Sequence, residues 1–396
     1  MDLAMMKKRY YVFRSLGIFF LVGVLPLPEA GAQKLQECTA KESVLLEDDG
    51  SWEKNSNIIS SLIRKRGISK SSLSSVLKDL NRKGKRISWI DRTRPRTAFR
   101  WNWGDFVTKS WMPQGISSSM EGWSRGTVSG KKVLLVSWYS KKNTSSESTQ
   151  RGCRISVIDI SNPDKIRYRH ILLVVPKGSQ SQPNFGPAVR KSGGLYAPLK
   201  GGGIAWYGNY LYVPEYRNGF RVFDLRYIMK VSTKNKYRCG RRGNSSYAFG
   251  YKYILPQVAH YRLLEGGGLF NFASIDRSTR PHSILAGDYI YPGNKGRIYR
   301  WSLNSRTCKL FDSRSIQVYD TRLKGMQGSV SNNQVFWTNC SGFWPRIYRQ
   351  TVGGNTRSYR WPVGPEDLSF DVKRGDIWAL KEFAWNRYVW SVRPGS

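Results

Sequence analysis

The sequence predicts an all-β protein, a six-bladed β-propeller with five blades visible, preceded by a short and partly helical N-terminal region. From about residue 95 onward, short aromatic and β-branched runs alternate with Gly, Pro, Asn and Asp, a pattern typical of strands and turns. A pair of such runs recurs five times, and a short glycine-containing segment precedes most of these pairs. The alternative architecture, a β-sandwich followed by a second β domain, remains open.

The composition excludes two broad classes of protein. The 396 residues carry a net charge of +38, from 65 Lys and Arg against 27 Asp and Glu. An aromatic content of 13% with 38 glycines is too high for a disordered basic tail. A mean hydropathy of −0.50 is too polar for an integral membrane protein. The chain is therefore expected to be a large, basic, β-rich protein.

The N-terminus predicts export. Residues 16–27 form an apolar run that is too short to span a bilayer of about 30 Å. Ala30-Gly31-Ala32 supplies the small residues of a cleavage site before Gln33, and the basic residues ahead of the run are Lys7, Lys8, Arg9 and Arg14. We therefore read residues 1–32 as a signal peptide, with an uncleaved anchor as the alternative. The mature chain would be secreted, extracellular or periplasmic, without a transmembrane segment.

The cysteines are compatible with export but do not prove it. Five remain after cleavage, none in a C-x-x-C pair, and the chain has only three histidines, so a structural zinc site is not expected. They are Cys38, Cys153, Cys239, Cys308 and Cys340. One or two disulfides would fit an oxidising compartment, with one thiol left over. Their pairing cannot be read from the spacing.

Two regions differ in texture along the mature chain. Residues 33–94 are rich in Ser, Lys and Arg, and a helix-like stretch at residues 58–80 predicts short helices in a linker or N-terminal region. Residues 95–396 form the predicted propeller, whose paired runs fall at 131–139 with 154–160, 209–216 with 219–225, 282–289 with 296–303, 333–340 with 345–352, and 375–383 with 387–392. The later pairs repeat at the spacing of one blade, about 40 to 50 residues. The earlier spacings leave room for a sixth blade, which we assign to residues 255–261 with 269–276.

The glycine-containing segments predict the innermost strand of each blade. They lie at residues 113–116, 201–206, 326–330 and 364–368. Strands that crowd around a central axis have space only for small side chains. These segments are therefore expected to line the central channel.

The run GGIAWYGNYLYVPEYRNGFRVFDL, residues 202–225, resembles blades of the six-bladed NHL, gluconolactonase and strictosidine-synthase-like propellers. The segments PQGISSS, GGIAWYGNYLYV, NFASIDRSTRPHSILAGDY, MQGSV and GPEDLSF more closely resemble a group of uncharacterised secreted bacterial β-propeller proteins, over about residues 110–394. This resemblance implies the fold. It implies no activity, because one propeller fold serves many functions.

Polar residues of the innermost segments predict a ligand site at the channel mouth. The residues expected there are Gln114, His282, Gln327, Glu366 and Asp367. The resemblance implies a divalent metal near Gly-Pro-Glu-Asp, where gluconolactonase-like propellers hold a carboxylate on the metal. Glu366 and Asp367, joined by Asp276 and Asp288, would then bind calcium through oxygen ligands. The other metal ligands of that family are not recognisable, and the two carboxylates could instead cap turns and pair with arginines.

The positive charge predicts a polyanionic partner. Such a charge attracts anionic polymers over long distances, more weakly as salt rises. The candidate clusters are Arg64, Lys65, Arg66, Arg238, Arg241 and Arg242. An anionic polysaccharide or another envelope polyanion is the expected partner, and specific nucleic-acid recognition is not expected. Charge scattered without function is the alternative.

No sequence motif decides whether the protein is an enzyme. The chain has no Gly-x-Ser-x-Gly, no His-Glu-x-x-His and no Walker loop. The sequence therefore favours a secreted propeller that binds an anionic or carbohydrate ligand at or outside the cell envelope. Two alternatives stay open: a calcium-dependent hydrolase or lyase, lactonase-like, acting at the channel mouth, and a structural protein-interaction scaffold.

Overall fold

A computed structural model describes residues 34–39, 43–65, 67–289 and 296–394. The described chain consists mainly of antiparallel sheets arranged around one axis. The predicted signal peptide lies outside the described residues. Among the described residues, no helix has the length and apolar character needed to cross a membrane.

The N-terminal region forms short strands and two helices that pack onto the propeller. Its elements are β1 (Gln36–Glu37), β2 (Leu45–Asp48), α1 (Ser51–Ile63), β3 (Ser69–Lys70), α2 (Leu73–Lys78), β4 (Arg82–Lys83) and β5 (Lys85–Arg86). Ser72 directly precedes helix α2, and its side chain accepts a hydrogen bond from the backbone of Ser75 and so caps the first turn. Each of the short strands pairs with a propeller strand or with another N-terminal neighbour.

The first blade follows a strand that belongs to the last one. The elements of this part of the chain are β6 (Thr97–Arg100), α3 (Trp103–Val107), β7 (Trp111–Ser118), α4 (Ser119–Gly122), β8 (Val133–Ser140), a 3-10 turn (Glu147–Thr149), β9 (Cys153–Asp159), β10 (Arg167–Gly178), β11 (Pro183–Pro187), β12 (Val189–Ser192) and β13 (Leu195–Pro198). Blade 1 is the sheet β7-β8-β9-β10.

Blade 2 contains an inserted hairpin before its outermost strand. The elements are β14 (Ala205–Tyr207), β15 (Tyr210–Glu215), β16 (Gly219–Asp224), a 3-10 turn (Leu225–Tyr227), β17 (Met229–Lys230), β18 (Cys239–Arg242), β19 (Ser245–Ala248) and β20 (Tyr253–Glu265). The blade itself is β14-β15-β16-β20, and β18 and β19 form a separate two-stranded sheet. Strand β20 also runs parallel to β10 of blade 1, so the two blades share one continuous sheet.

Blades 3, 4 and 5 follow one another without large insertions. Their strands are β21 (Phe270–Asp276), β22 (Ser283–Asp288), β23 (Arg297–Ser302), β24 (Gln317–Asp320), β25 (Met326–Asn332), β26 (Val335–Cys340), β27 (Arg346–Thr351), β28 (Arg357–Arg360), β29 (Pro365–Asp371), β30 (Asp376–Lys381) and β31 (Tyr388–Val392). Blade 3 is β21 to β24 extended by β1, blade 4 is β25 to β28, and blade 5 is β29-β30-β31-β6-β5. The ring is thus closed by an N-terminal strand that pairs with the last strand of the chain.

The propeller fold and the five predicted hairpins are confirmed, and the predicted sixth blade is not. Each hairpin is a pair of adjacent antiparallel strands. Residues 255–261 lie in β20, the outermost strand of blade 2, whereas residues 269–276 lie at β21, the innermost strand of blade 3. Inner and outer strands share the same apolar texture, so the sequence could not distinguish a new blade from the end of one and the start of the next.

Large aromatic side chains fill the space between the sheets. Five tryptophans are completely buried: Trp101, Trp138, Trp206, Trp301 and Trp390. Trp101 and Trp138 meet edge to face with ring centroids 4.7 Å apart. Each such side chain removes about 150–250 Å² from water, so these residues contribute much of the stability of the ring. All five cysteines lie in described residues and none forms a disulfide.

Close packing of the innermost strands explains their glycines. A Cβ atom added to Gly203 would lie 2.3 Å from the backbone nitrogen of Ala273. One added to Gly328 would lie 2.7 Å from the backbone nitrogen of Leu368. Backbones of neighbouring innermost strands therefore touch at this level, which leaves no space there for a larger side chain.

Candidate functional site

The innermost strands share an irregularity at the same position. In four blades the pairing register shifts, between Pro113 and Ile116, Phe270 and Phe272, Met326 and Gly328, and Pro365 and Leu368. Such bulges re-aim the side chains of the extra residues. Each bulge contains one of the polar residues Gln114, Asn271, Gln327 and Glu366, and two of the bulges also contain Gly115 or Asp367. The four polar residues gather at one end of the channel together with Lys200 and Glu382.

Hydrogen bonds connect these polar side chains into two groups of three, Gln114 with Glu366 and Glu382, and Lys200 with Asn271 and Gln327. We call the six residues together the channel-mouth ring. The amide nitrogen of Gln114 donates to Oε2 of Glu382 at 2.9 Å. The amide nitrogen of Asn271 donates to Oε1 of Gln327 at 2.9 Å, and the Lys200 ammonium donates to Oδ1 of Asn271 at 3.1 Å. The ring therefore contains the predicted Gln114, Gln327 and Glu366. Lys200, Asn271 and Glu382 complete it and were not predicted.

Glu366 and Glu382 form a hydrogen-bonded pair of carboxyl groups within this ring. Glu366 is 3% exposed, and burial together with the neighbouring Glu382 raises the pKa of Glu366 well above its usual value. Burial also raises the pKa of Glu382, while Lys200 and the hydrogen bond from Glu366 oppose that rise. Because two neighbouring carboxylates repel each other, the proton is held on Glu366, whose hydroxyl donates a hydrogen bond to Glu382.

Asp367 lies one layer deeper and connects three blades. Its Oδ2 accepts hydrogen bonds from the backbone nitrogens of Ile116 at 3.0 Å and Ile204 at 3.2 Å. The side chain is completely buried, and this burial raises its pKa well above the usual range. Asp367 is therefore a structural link between blades 5, 1 and 2.

Glu121 occupies the opposite end of the channel. Its Oε2 accepts hydrogen bonds from the hydroxyls of Ser117 at 2.9 Å and Ser369 at 2.7 Å. Its Oε1 lies 3.4 Å and 3.3 Å from the backbone nitrogens of Ile275 and Phe370. Burial raises the pKa of Glu121 to about 7. The sequence analysis did not predict Glu121, and the one local signal is an acidic residue two positions after the three serines at 117–119.

The predicted calcium ligands do not converge. Asp276 and Asp288 lie at opposite ends of the β21–β22 hairpin. Asp276 is paired with Arg300 at 2.9 Å, and Asp288 accepts a hydrogen bond from the hydroxyl of Tyr299 at 2.9 Å. In the part of the chain that the structure describes, no group of three His, Cys, Asp or Glu side chains could hold a metal ion. The carboxylates of the predicted calcium set therefore serve separate contacts.

His282 also lies away from the channel-mouth ring. It directly precedes the second strand of blade 3, and its Nδ1 lies 2.7 Å from the hydroxyl oxygen of Tyr207. This position is beside the last residue of β21, whereas Asn271 of the ring lies at the start of that strand. His282 is therefore at the far end of the channel.

The predicted basic clusters lie on two neighbouring segments. Arg64 and Lys65 follow α1, and Arg66 lies outside the described residues. Arg238 precedes β18, and Arg241 and Arg242 lie on it. The backbone of Gly67 packs directly against the β18–β19 turn, since a Cβ added there would be 2.6 Å from the Asn244 carbonyl oxygen. The two clusters thus belong to one face of the molecule.

A cleft that the sequence did not predict lies between blades 4 and 5. Its volume is about 540 Å³. Four aromatic residues line it, Trp89, Trp337, Tyr359 and Trp361, together with four arginines, Arg92, Arg94, Arg360 and Arg393. We call it the Trp–Arg cleft. One wall is the segment after β5, and the other walls come from β26, β28 and the end of the chain.

The arginines of the Trp–Arg cleft are only partly neutralised. Arg393 lies 3.9 Å from Asp376, and the Arg92 guanidinium stacks 5.4 Å from the ring centre of Trp344. Across the described residues, the side chains of Arg94 and Arg360 form no ion pair or hydrogen bond. No Asp or Glu is among the described residues that line the cleft. The cleft is therefore an aromatic site with excess positive charge.

Comparisons with known proteins give only distant likenesses. No protein-family model and no curated protein matches the chain. A gluconolactonase structure from Xanthomonas campestris is 12% identical with a TM-score of 0.31, covering 80% of this chain and 91% of that one. A GH43_1 enzyme from Xanthomonas citri is 10% identical with a TM-score of 0.34, covering 81% and 92%. The RS223 beta-xylosidase is 9% identical with a TM-score of 0.33, covering 76% and 94%.

Proposed function

We propose that the protein is an exported β-propeller that binds an acidic polysaccharide at or outside the cell envelope, through the Trp–Arg cleft. The observation that supports this proposal is the combination, in one cavity of about 540 Å³, of aromatic walls with Arg94 and Arg360, whose side chains form no ion pair with a described residue. Cavities of roughly 300–1,000 Å³ with apolar walls and a few polar groups are typical of ligand sites.

The two residue types recognise two parts of the same ligand. Trp and Tyr rings offer flat apolar faces, against which the C–H face of a sugar ring can pack. Arg94 and Arg360 offer planar guanidinium groups that bind carboxylates with two parallel hydrogen bonds. An acidic sugar presents both features, whereas a neutral sugar lacks the second. The cleft therefore favours an acidic saccharide.

The net charge of the whole chain supports the same partner. At +38, or +36 after loss of the four basic and two acidic residues of the signal peptide, the protein attracts polyanions from a distance. The basic face around Arg64 and Arg241 would add electrostatic contacts that do not discriminate between different acidic sugars. We expect this attraction to weaken as the salt concentration rises.

The decisive experiment compares an acidic and a neutral oligosaccharide of equal length. Binding of oligogalacturonate and of maltooligosaccharide is measured by calorimetry at two salt concentrations. The double variant R94Q/R360Q should weaken oligogalacturonate binding about tenfold or more, because each lost charged hydrogen bond contributes about 1.5–3 kcal/mol. The matched variant R125Q/R306Q changes the net charge equally at two exposed arginines outside the cleft. Equal losses in the two variants, or equal binding of both sugars, would refute the proposal.

One observation favours a second candidate function, hydrolysis at the channel mouth. Burial and the neighbouring Glu382 raise the pKa of Glu366 well above its usual value, and a carboxyl group that acts as a general acid requires such a raised pKa. Lys200 beside the pair could stabilise negative charge that develops on a substrate oxygen. The test is hydrolysis of a panel of lactones and aryl glycosides by the purified protein, with and without calcium. Activity lost in E366Q would support this function; no turnover of any substrate would leave the pair structural.

A further inference from the structure

A basic cavity lies where blades 1 and 2 join. Strands β10 and β20, the outermost of their blades, run parallel at Leu172 and Ile254. Strand β4 of the N-terminal region pairs with the start of β10, next to this join. A cavity of about 320 Å³ opens there, lined by Asn81, Arg82, Arg151, Arg169, Tyr251 and Lys252, among others.

Two carboxylates behind the cavity are already shared among its cations. Asp79 is paired with Arg169 at 3.0 Å and with Lys252 at 2.6 Å. The same carboxylate accepts a hydrogen bond from the hydroxyl of Tyr253 at 2.7 Å. These contacts lower the pKa of Asp79, so the carboxylate stays ionised. Its single negative charge does not balance the two cations that share it.

The second carboxylate, Asp105, also has its charge shared between two arginines. It lies 3.2 Å from Arg82 and 2.9 Å from Arg154, and it accepts a hydrogen bond from the hydroxyl of Tyr168 at 2.7 Å. The neighbouring His170 is completely buried, and this burial with the charge of Arg154 lowers its pKa to about 3. His170 is therefore neutral and adds no positive charge.

Arg151 adds a further cation without a counter-charge. Its exposed side chain forms no ion pair or hydrogen bond with any described residue. Five cations thus surround this region against two carboxylates, and they are Arg82, Arg151, Arg154, Arg169 and Lys252. The walls of the cavity offer an excess of N–H donors, and the missing partner is a group with several acceptor oxygens.

We propose that this cavity binds a tetrahedral oxyanion, a phosphate or sulfate group, through Arg151, Arg169, Arg82 and Lys252. Arginine and lysine are the residues that bind such groups, and a tetrahedral anion can accept hydrogen bonds from several directions at once. The proposal is independent of the Trp–Arg cleft, which lies between other blades. A volume of about 320 Å³ also leaves room for part of a molecule that carries the group.

The test is a calorimetric titration and a thermal-melting series with the purified protein at constant ionic strength. Sodium phosphate and sodium sulfate should bind and raise the melting temperature, whereas chloride and acetate at the same ionic strength should not. R151Q should weaken phosphate binding about tenfold. Because Arg151 is exposed and unpaired, the variant is expected to fold normally, and its circular dichroism spectrum checks this.

Additional measurements distinguish a free anion from one carried by a larger molecule, and they test whether binding occurs at this cavity. Glucose 6-phosphate that binds more tightly than inorganic phosphate indicates a group carried by a larger molecule, and the reverse order indicates the free ion. R306Q, with the same change in charge on a turn of blade 3, and R94Q/R360Q should both bind phosphate as the unaltered protein does. Phosphate that acts no differently from chloride, or R151Q that binds it normally, would overturn the proposal.

Discussion

The carboxylate of Asp367 accepts a 3.0 Å hydrogen bond from the backbone of Ile116, 251 positions earlier in the chain. Because these residues lie on the innermost strands of blades 5 and 1, the bond holds the last blade against the first. A second bond, from the backbone of Ile204, extends the link to blade 2. In the described chain, innermost strands of different blades do not pair through their backbones. The Asp367 carboxyl group supplies the hydrogen-bond acceptor that these backbone nitrogens would otherwise lack.

The first prediction concerns this link. D367A should lower the free energy of unfolding by about 2–4 kcal/mol, because it leaves two buried backbone donors without an acceptor. D367N keeps an acceptor oxygen at nearly the same place and should lose less than half as much. Urea unfolding of both variants provides the measurement, and equal losses would show that the acceptor has no role.

The second prediction concerns the pH dependence of stability. Burial raises the pKa of Glu121 to about 7 in the folded protein, from about 4.5 in the unfolded chain. The folded state therefore binds a proton that the unfolded state has released between these values. The stability that comes from this proton is fully present below pH 4.5 and is lost as the pH rises to 7, by about 3 kcal/mol.

Comparison with E121Q isolates this contribution. His170 acts in the opposite direction, since its depressed pKa costs stability as the pH falls below about 6.5. The difference in unfolding free energy between the unaltered protein and E121Q removes that common contribution. This difference should shift in favour of E121Q by about 3 kcal/mol between pH 4.5 and pH 8. A difference that does not change with pH would contradict the expected pKa.

The third prediction concerns the buried ion pair of Asp276 and Arg300. D276A leaves the Arg300 charge buried without a counter-ion and should cost about 3–5 kcal/mol of stability. D276N keeps a hydrogen-bond acceptor and should cost less. Thermal melting with calcium and with a chelator should give the same loss for D276A. A loss of stability that appears only with calcium present would indicate instead that Asp276 is a calcium ligand.

The fourth prediction concerns export. The mature protein, recovered from the periplasm or the medium, should begin at Gln33, as measured by N-terminal sequencing and intact mass. Replacing Ala32 by a bulky residue should block cleavage, because the site requires a small side chain there. An intact N-terminus at Met1 in the recovered protein would support an uncleaved anchor instead.

The sequence predicted part of the channel-mouth ring because its members share a local pattern. Gln114 and Gln327 each stand before a glycine at the start of an innermost strand, and Glu366 occupies the matching place in blade 5. Glu382 follows β30, the second strand of blade 5, and Lys200 precedes three glycines. Neither residue occupies a position that recurs from blade to blade, so the repeat pattern did not predict them. Their position depends on how neighbouring blades pack rather than on any one segment.

The Trp–Arg cleft could not be predicted for a related reason. Its walls come from Trp89, Trp337, Tyr359 and Arg393, which are distant in sequence and belong to different structural elements. The segment with Trp89 reads as part of a linker, because only its contact with blade 5 gives it a fixed place. Burial and pairing in three dimensions, which a single sequence does not contain, decide where such residues meet.

Because β6 pairs with β31, blade 5 cannot be completed until the end of the chain has been synthesised. Strand β6 leaves the ribosome early, whereas β31 is among the last segments to be synthesised, so β6 has an unpaired edge for most of translation. A chain truncated before Tyr388 would keep that edge open and would be prone to join other chains. A protein crossing a membrane unfolded would avoid this hazard, since both strands would become available together on the far side.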